Sequence, residues 1–239
     1  MVSTMNETRI KSFEELHKAL SKYRKTNLWL FRGHSNIEWN LTPKAGRKPY
    51  NKHDDIDVFK SWKRQAVNFL SVSYDNWDML TIAQHHGLAT RLLDWTFNPL
   101  VAAFFAVQKF EKNDAIIYAY YNPYSIKTEE VGVFEHEGVG KVKPYGTAPR
   151  VVRQSGIFTI HNPSTLNIED NLKEENKLEK IIIDSSYRKE LRFELSHYGI
   201  NELSLFPDLD GLSQHVNWFM ENSDYWDENI NKEIDSITE

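Results

Sequence analysis

The sequence predicts a single α/β domain whose core sheet, mixed or mostly antiparallel and in part split, is flanked by helices. Short apolar runs typical of strands alternate along the chain with longer segments whose apolar residues recur at helical spacing. The 239 residues are 40% apolar, which is ample for one packed core. Aromatic residues make up 13% of the chain, a content that suits a bulky α/β core better than a disordered chain.

The first elements are predicted from capping signals and apolar spacing. Ser12-Phe-Glu-Glu15 has the pattern of a capping box, so a helix is expected from Ser12 to Tyr23. Leu28–Phe31 is a short buried strand that delivers Arg32, Gly33 and His34 at its end. Prolines and a glycine mark residues 39–47 as a loop. Helices are then expected over residues 54–72 and 75–86, the second ended by Gly87.

The segment from Gln84 to Ala106 combines polar chemistry with apolar structure more densely than any other. Leu92-Leu93 is predicted to cross the interior as a strand, with Thr90, Arg91, Asp94 and Thr96 emerging around it. Pro99 suits the first turn of a following helix, with Thr96 or Asn98 as its N-cap. Polar groups beside a strand and backed by a buried helix are held rigidly, so this segment is the expected site.

The second half of the chain is predicted to hold further strands and helices. The glycine-rich residues 125–149 are expected to form a loop or weak hairpins. The domain is expected over residues 27–221, with residues 1–26 packed on it as an N-terminal helix and residues 222–239 as an acidic, fraying tail. The remaining predictions are strands over residues 115–121, 155–160 and 181–183 and helices over residues 187–198 and 211–221.

Charge and cysteine content exclude several classes of function. A net charge of −5 gives no global attraction to nucleic acid or to an anionic membrane, although a local basic groove stays open. With no cysteine, the chain has neither disulfides nor thiolate chemistry. No apolar run of membrane-spanning length occurs and the N-terminus has no apolar signal core, so we expect a soluble cytoplasmic protein that does not bind membranes.

Several separated motifs, in order, resemble the FRG domain family. They are Phe31-Arg-Gly33, residues 83–95, Asn98-Pro99 with the alanines that follow, Gln154-Ser-Gly-Ile-Phe158 and residues 205–211. The resemblance extends over about residues 29–212. It implies a bacterial or phage origin and a toxin, antitoxin or phage-defence context, without fixing an activity.

A second resemblance, one of order and chemistry, is to the toxin type of ADP-ribosyltransferase. In those enzymes an Arg ends a first core strand, a strand with hydroxyl residues leads into a helix, and a later strand carries a catalytic Glu. This chain offers Arg32, then Thr90–Thr96 leading to Ala102–Ala106, then Arg153-Gln154. The resemblance implies a related fold and NAD as substrate, but the position of the Glu is matched by Gln154.

Candidate roles follow from that chemistry. A guanidinium suits phosphate or ribose oxygens, so Arg32 is expected to hold NAD, together with His34, Thr90, Arg91 and Arg153. The catalytic candidates are Arg32, Gln154, Asp94 and His86, where His86 would be a hydrogen-bond donor or general acid. Gln154 brings no negative charge, so either Asp94 substitutes for the missing Glu or the cleft binds a nucleotide without cleaving it. A buried Arg–Asp pair is the structural alternative for Asp94.

Other chemistries are weighed against this one. No zinc site is expected at His85-His86, because adjacent helical residues point about 100° apart. Asp208 and Asp210 could hold a magnesium ion in a nuclease, but they also fit a turn and an N-capped helix. Three readings therefore remain: an NAD-cleaving enzyme, a non-catalytic module for a nucleotide or a protein partner, and a metal-dependent nuclease.

Overall fold

The computed structural model describes residues 6–70, 72–109, 112–143 and 154–224. Seven strands form one open mixed sheet in the order β1-β7-β4-β2-β3-β6-β5, within these ranges. The strands are β1 Glu7–Ile10, β2 Trp29–His34, β3 Leu92–Thr96, β4 Ala115–Tyr121, β5 Gly138–Val142, β6 Gly156–Asn162 and β7 Lys177–Ile183. The helices are α1 Phe13–Leu20, α2 Asp55–Ala66, α3 Asn76–His85, α4 Pro99–Val107, α5 Arg188–His197, α6 Glu202–Leu205 and α7 Leu209–Glu221.

The predicted fold class is confirmed. β1 and β7 pair in parallel, whereas the other neighbouring strands pair antiparallel. β1 was not predicted, because Ile10 is its only buried residue and the pattern of a half-buried strand is missing. β5 lies where the sequence predicts a loop or weak hairpins, and it pairs antiparallel with β6.

Helix starts follow the sequence closely. Ser12 caps α1 by accepting from the backbone N–H of Glu15 at 3.3 Å, while the Glu15 carboxylate accepts from Lys11 instead of closing the box on Ser12. Asn98 rather than Thr96 caps α4, accepting from the backbone of Leu100 at 3.0 Å. Helix ends are less well predicted, since α1 passes into a 3₁₀ turn at Ser21 and α2 ends at Ala66.

The first of three buried clusters fixes helix α4 against β2. This cluster contains Ile10 of β1, Phe31 of β2 and residues of the helices α1, α4, α5 and α6. The backbone of β2 touches α4 at Gly33, where a Cβ would lie 1.9 Å from the carbonyl oxygen of Ala102. Only glycine permits this approach. β2 and α4 therefore meet without an intervening side chain, which sets the back wall of the cleft described below.

A buried guanidinium ties the end of α4 to the rest of the sheet. Arg188 at the start of α5 donates to the carbonyl oxygens of Ser35, Ala106, Lys109 and Asn113 at 2.6–3.3 Å. Carbonyls at the end of a helix lack partners within it and favour a cation. Arg188 thus holds the chain after β2 and the chain after α4 together. No helix among the described residues is both long enough and apolar enough to cross a membrane.

Candidate functional site

A cleft opens where the neighbouring strands β2 and β3 separate. Their register contains one pair, Phe31 opposite Thr96, whereas β2 pairs with β4 over six residues. Helices α3 and α4 flank the opening, which has a volume of about 400 Å³. Its described polar lining includes Arg32, His34, Arg47, Gln84, His85, Asp94, Thr96, Gln108, Lys109 and Gln154, and its aromatic lining includes Trp39, Trp95, Phe105, Phe158 and Phe206.

Arg32 bridges the gap between the two strands. Its Nη1 donates to the backbone oxygen of Asp94 at 2.6 Å and lies 3.8 Å from that residue's Oδ2, while its Nε donates to Nε2 of His34 at 2.9 Å. The side chain keeps 19% of its surface exposed. Burial lowers the pKa of Arg32, whereas the Asp94 carboxylate raises it. A guanidinium so held offers a fixed positive charge at the cleft wall.

His34 acts as the support of Arg32. Because its Nε2 accepts from Arg32, its Nδ1 carries the proton and donates to the carbonyl oxygen of Trp39 at 3.1 Å. Burial, with the charge of Arg32 as a second cause, lowers the pKa of His34 to about 3. The ring is therefore neutral at ordinary pH. Both of its ring nitrogens are hydrogen-bonded to protein atoms. His34 therefore lines the cleft, but its hydrogen bonds position Arg32 and leave neither nitrogen for a ligand.

Asp94 is the exposed carboxylate of the cleft, with 56% of its side chain accessible. Its Oδ2 accepts from the amide of Gln84 at 2.8 Å. The amide oxygen of Gln84 in turn accepts from the hydroxyl of Thr90 at 2.6 Å, and that hydroxyl also accepts from the backbone N–H of Leu92 at 3.1 Å. Thr90 is buried and outside the cleft lining. It therefore orients Gln84 and Asp94 instead of facing a ligand.

Arg32, His34, Thr90 and Asp94 lie within a segment that matches a known protein family. Residues 27–115 match the model of the FRG domain family. This match confirms the predicted resemblance to the FRG domain family over that segment. The match takes in Arg32, His34, Thr90 and Asp94 and ends at the first residue of β4. The motifs at residues 154–158 and 205–211 lie beyond the matched region. No curated protein and no solved structure matches this chain.

Arg91, which belongs to the matched segment, lies away from the cleft, contrary to its expected place beside a ligand. Its Nε and Nη2 donate to the two carboxylate oxygens of Asp55 at 2.7 and 3.0 Å. Its guanidinium also stacks 4.8 Å from the ring centroid of Phe134. With 3% of its side chain exposed, Arg91 joins α2 to β3. The buried Arg–Asp pair foreseen for Asp94 is thus formed by Arg91 and Asp55.

Of the two histidines at the end of α3, the one that lines the cleft is not the one expected. His85 lines the cleft, whereas His86 is exposed at the end of the helix and outside the lining. His86, expected as a donor or acid in this cleft, thus lies outside it, and His85 is the histidine of the pair that lines it. Helical geometry explains the choice, because α3 already directs Gln84 toward Asp94 and the next residue but one points away.

Gln154, which lies just before β6, is also part of the cleft lining. Its side-chain Nε2 donates to the backbone carbonyl oxygen of Leu205 at 3.3 Å. The backbone carbonyl oxygen of Gln154 accepts from the hydroxyl of Thr96 at 2.6 Å. Arg153, expected beside the ligand, lies outside the described residues. The cleft lining thus contains both the uncharged amide of Gln154 and the Asp94 carboxylate.

Arg47 and the aromatic walls were not predicted from the sequence. Arg47 belongs to the irregular chain after Leu41, which hydrogen-bonds to the sheet through Ala45 N and Thr90 O at 3.1 Å. Burial lowers the pKa of Arg47, and Asp94 raises it. No periodic pattern marks a loop residue, so only the nearby basic composition signalled it. Arg47 gives the cleft a second guanidinium beside Arg32.

Asp208 and Asp210 both lie at the start of α7. Asp208 caps α7, its Oδ1 accepting from the backbone of Gly211 at 2.8 Å, and Asp210 occupies the first turn. Carboxylates at these positions stabilise a helix start. Among the described residues, no three histidine, aspartate or glutamate side chains cluster closely enough to hold a metal ion.

Proposed function

We propose that the cleft of this FRG domain binds NAD and cleaves its bond to nicotinamide. The observation that carries the proposal is the convergence of Arg32 and Arg47 with the exposed Asp94 carboxylate in one cleft. Guanidinium groups suit the phosphate and ribose oxygens of a nucleotide. A volume of about 400 Å³ falls within the range of small-molecule sites, roughly 300–1,000 Å³.

Asp94 takes the role that a Glu has in ADP-ribosyltransferases. When the bond between nicotinamide and ribose breaks, its electron pair leaves with nicotinamide and positive charge develops on the ribose. A carboxylate held in place by Gln84 stabilises that charge without having to reorient. The oxygen of water, or an acceptor atom, then bonds to the ribose carbon and loses a proton. Protein, nucleic acid and small molecules are the other candidate acceptors.

The deciding experiment compares matched substitutions. Asp94→Asn keeps the shape of the side chain and removes its charge, so nicotinamide release measured by chromatography should fall about 10²- to 10³-fold while NAD binding by calorimetry persists. Arg32→Ala should abolish binding, and Arg64→Ala, an exposed arginine on α2 outside the cleft, is the control. Unchanged release in Asp94→Asn would exclude this role for the carboxylate.

Two observations favour a second candidate function, a nucleotide-binding module without cleavage. Gln154 is uncharged, and the positive charge of Arg32 lies 3.8 Å from Asp94, which reduces the negative potential available to a substrate. NAD binding that depends on Arg32, with no nicotinamide released, would support this module. Neither binding nor release would favour a protein partner instead.

The biological setting implied by the family resemblance, a bacterial toxin or phage-defence system, belongs to the same proposal. Production of the protein in bacteria should slow growth and deplete NAD, and Asp94→Asn should relieve both effects. Slowed growth with unchanged NAD, or slowed growth that persists in Asp94→Asn, would separate toxicity from the proposed chemistry.

A further inference from the structure

A second and larger opening, the aromatic cavity, lies between α1, the start of β2 and the start of α4. Its volume is about 780 Å³, nearly twice that of the cleft. Among the described lining residues, only Phe31 is shared with the cleft. The aromatic cavity therefore forms a separate site on the other side of this ring.

The walls of the aromatic cavity are rings turned inward by their packing. Tyr23 lies edge-on to Trp29 and Phe31, with ring centroids 4.7 and 5.3 Å apart. The Tyr23 hydroxyl donates to Glu179 at 2.8 Å, so its polar end is occupied elsewhere and the ring offers apolar surface. Phe97 adds a ring that is 39% exposed. Aromatic rings around a concave surface favour a ligand with an apolar body.

The formally charged side chains among the described lining residues of this cavity, Arg24 and Lys143, are both cations. His17, Arg24 and Lys143 belong to its lining, and the described lining residues include no aspartate or glutamate. The Nη2 of Arg24 lies 3.1 Å from a ring nitrogen of His17, which holds the two together. The whole chain has a net charge of −5, so this basic rim runs against the overall balance. A rim of this kind selects an anion.

We propose that the aromatic cavity binds a hydrophobic carboxylic acid, with its apolar body against the rings and its carboxylate at Arg24 and Lys143. Apolar area removed from water supplies the larger part of the affinity. The exposed cations add selectivity, because an ion pair at such a position changes the affinity only a few-fold. The site does not depend on the cleft or on NAD.

The test uses decanoate below its micelle-forming concentration, with decanol as the uncharged comparison, in calorimetric titrations at low salt. The protein should bind decanoate more tightly than decanol. Arg24→Gln should weaken decanoate binding about threefold and leave decanol binding unchanged. Lys25→Gln removes the same charge from the next residue, which is outside the lining, and should have a smaller effect.

A second variant tests the apolar walls. Phe97→Ala removes an exposed ring and should weaken decanoate and decanol alike, while thermal unfolding confirms that the protein remains folded. Equal affinity for decanol and decanoate, or equal effects of Arg24→Gln and Lys25→Gln, would overturn the selection of an anion. Absence of decanoate binding up to millimolar concentration would overturn the site itself.

Discussion

The amide group of Gln84 connects the buried hydroxyl of Thr90 to the exposed carboxylate of Asp94, through hydrogen bonds of 2.6 and 2.8 Å. The three residues belong to the end of α3, the chain before β3 and β3 itself. Because Thr90 also accepts from the backbone of Leu92, its position is set by the strand. The orientation of the carboxylate in the cleft thus depends on a buried residue that lies outside the cleft lining.

Thr90→Val should therefore disturb the site without altering its shape. The change leaves the amide oxygen of Gln84 and the backbone N–H of Leu92 without this partner in a buried place, which should reduce the free energy of unfolding by about 1–3 kcal/mol. Urea denaturation measures this loss, and Thr90→Ser should restore most of it. If the proposed function holds, kcat for nicotinamide release should fall more than KM rises. Equal stability of Thr90→Val and the unmodified protein would contradict the role given to this hydroxyl.

The ion pair between Arg91 and Asp55 should contribute to stability and not to ligand binding. Asp55→Ala leaves a guanidinium that is 3% exposed without its carboxylate, so a loss of about 3–5 kcal/mol in unfolding free energy is expected. The double variant Arg91→Met/Asp55→Leu should be less destabilised than Asp55→Ala, since no buried charge remains unpaired. NAD affinity of the folded double variant should be unchanged. A large loss of affinity would return Arg91 to the binding site.

The sequence predicted those parts of the site that lie on regular elements. Asp94 lies on the strand expected around Leu92-Leu93, whereas Arg32 was expected just after a strand and lies within β2, which continues through His34. Arg91 and Thr90 were given the wrong direction, because the partner that captures Arg91 is 36 residues away in the chain. Pairing of this kind is a tertiary property. Local periodicity carries no information about it.

The positions of Arg47 and His85 in the cleft were also beyond what local periodicity could predict. Arg47 comes from an irregular segment, for which no period predicts direction. His85 and His86 could be told apart only after the position of α3 over the sheet was known. The cleft itself arises because β2 and β3 share a single register pair, and the sequence of neither strand indicates where the pairing stops.

Gly33→Ala should be among the most damaging small substitutions in the chain. The added Cβ would lie 1.9 Å from the carbonyl oxygen of Ala102 in α4, so β2 and the helix must separate. Destabilisation of about 3 kcal/mol or more is expected, at the upper end of the range for overpacking. Gly87→Ala is the matched control, because its cost of about 1–2 kcal/mol comes from a φ of +87° with open space around the position. Thermal unfolding that ranks Gly87→Ala as the worse variant would contradict the close packing of β2 on α4.

The neutral ring of His34 should make stability fall in mild acid. Its pKa is about 3 in the folded protein, because of burial and the charge of Arg32, and its ordinary value is 6.5. Between these values the unfolded chain binds a proton that the folded protein does not, so the contribution is complete above pH 6.5 and is lost as the pH falls toward 3. At pH 4.5 the free energy of unfolding should be roughly 2–3 kcal/mol smaller than at pH 7 on account of this residue alone.

Urea denaturation of the protein and of His34→Gln across this pH range isolates the effect of His34, since the carboxylates and the buried His161 contribute to both proteins. The difference in unfolding free energy between the two proteins should narrow as the pH falls. A constant difference would mean that His34 does not titrate in this way.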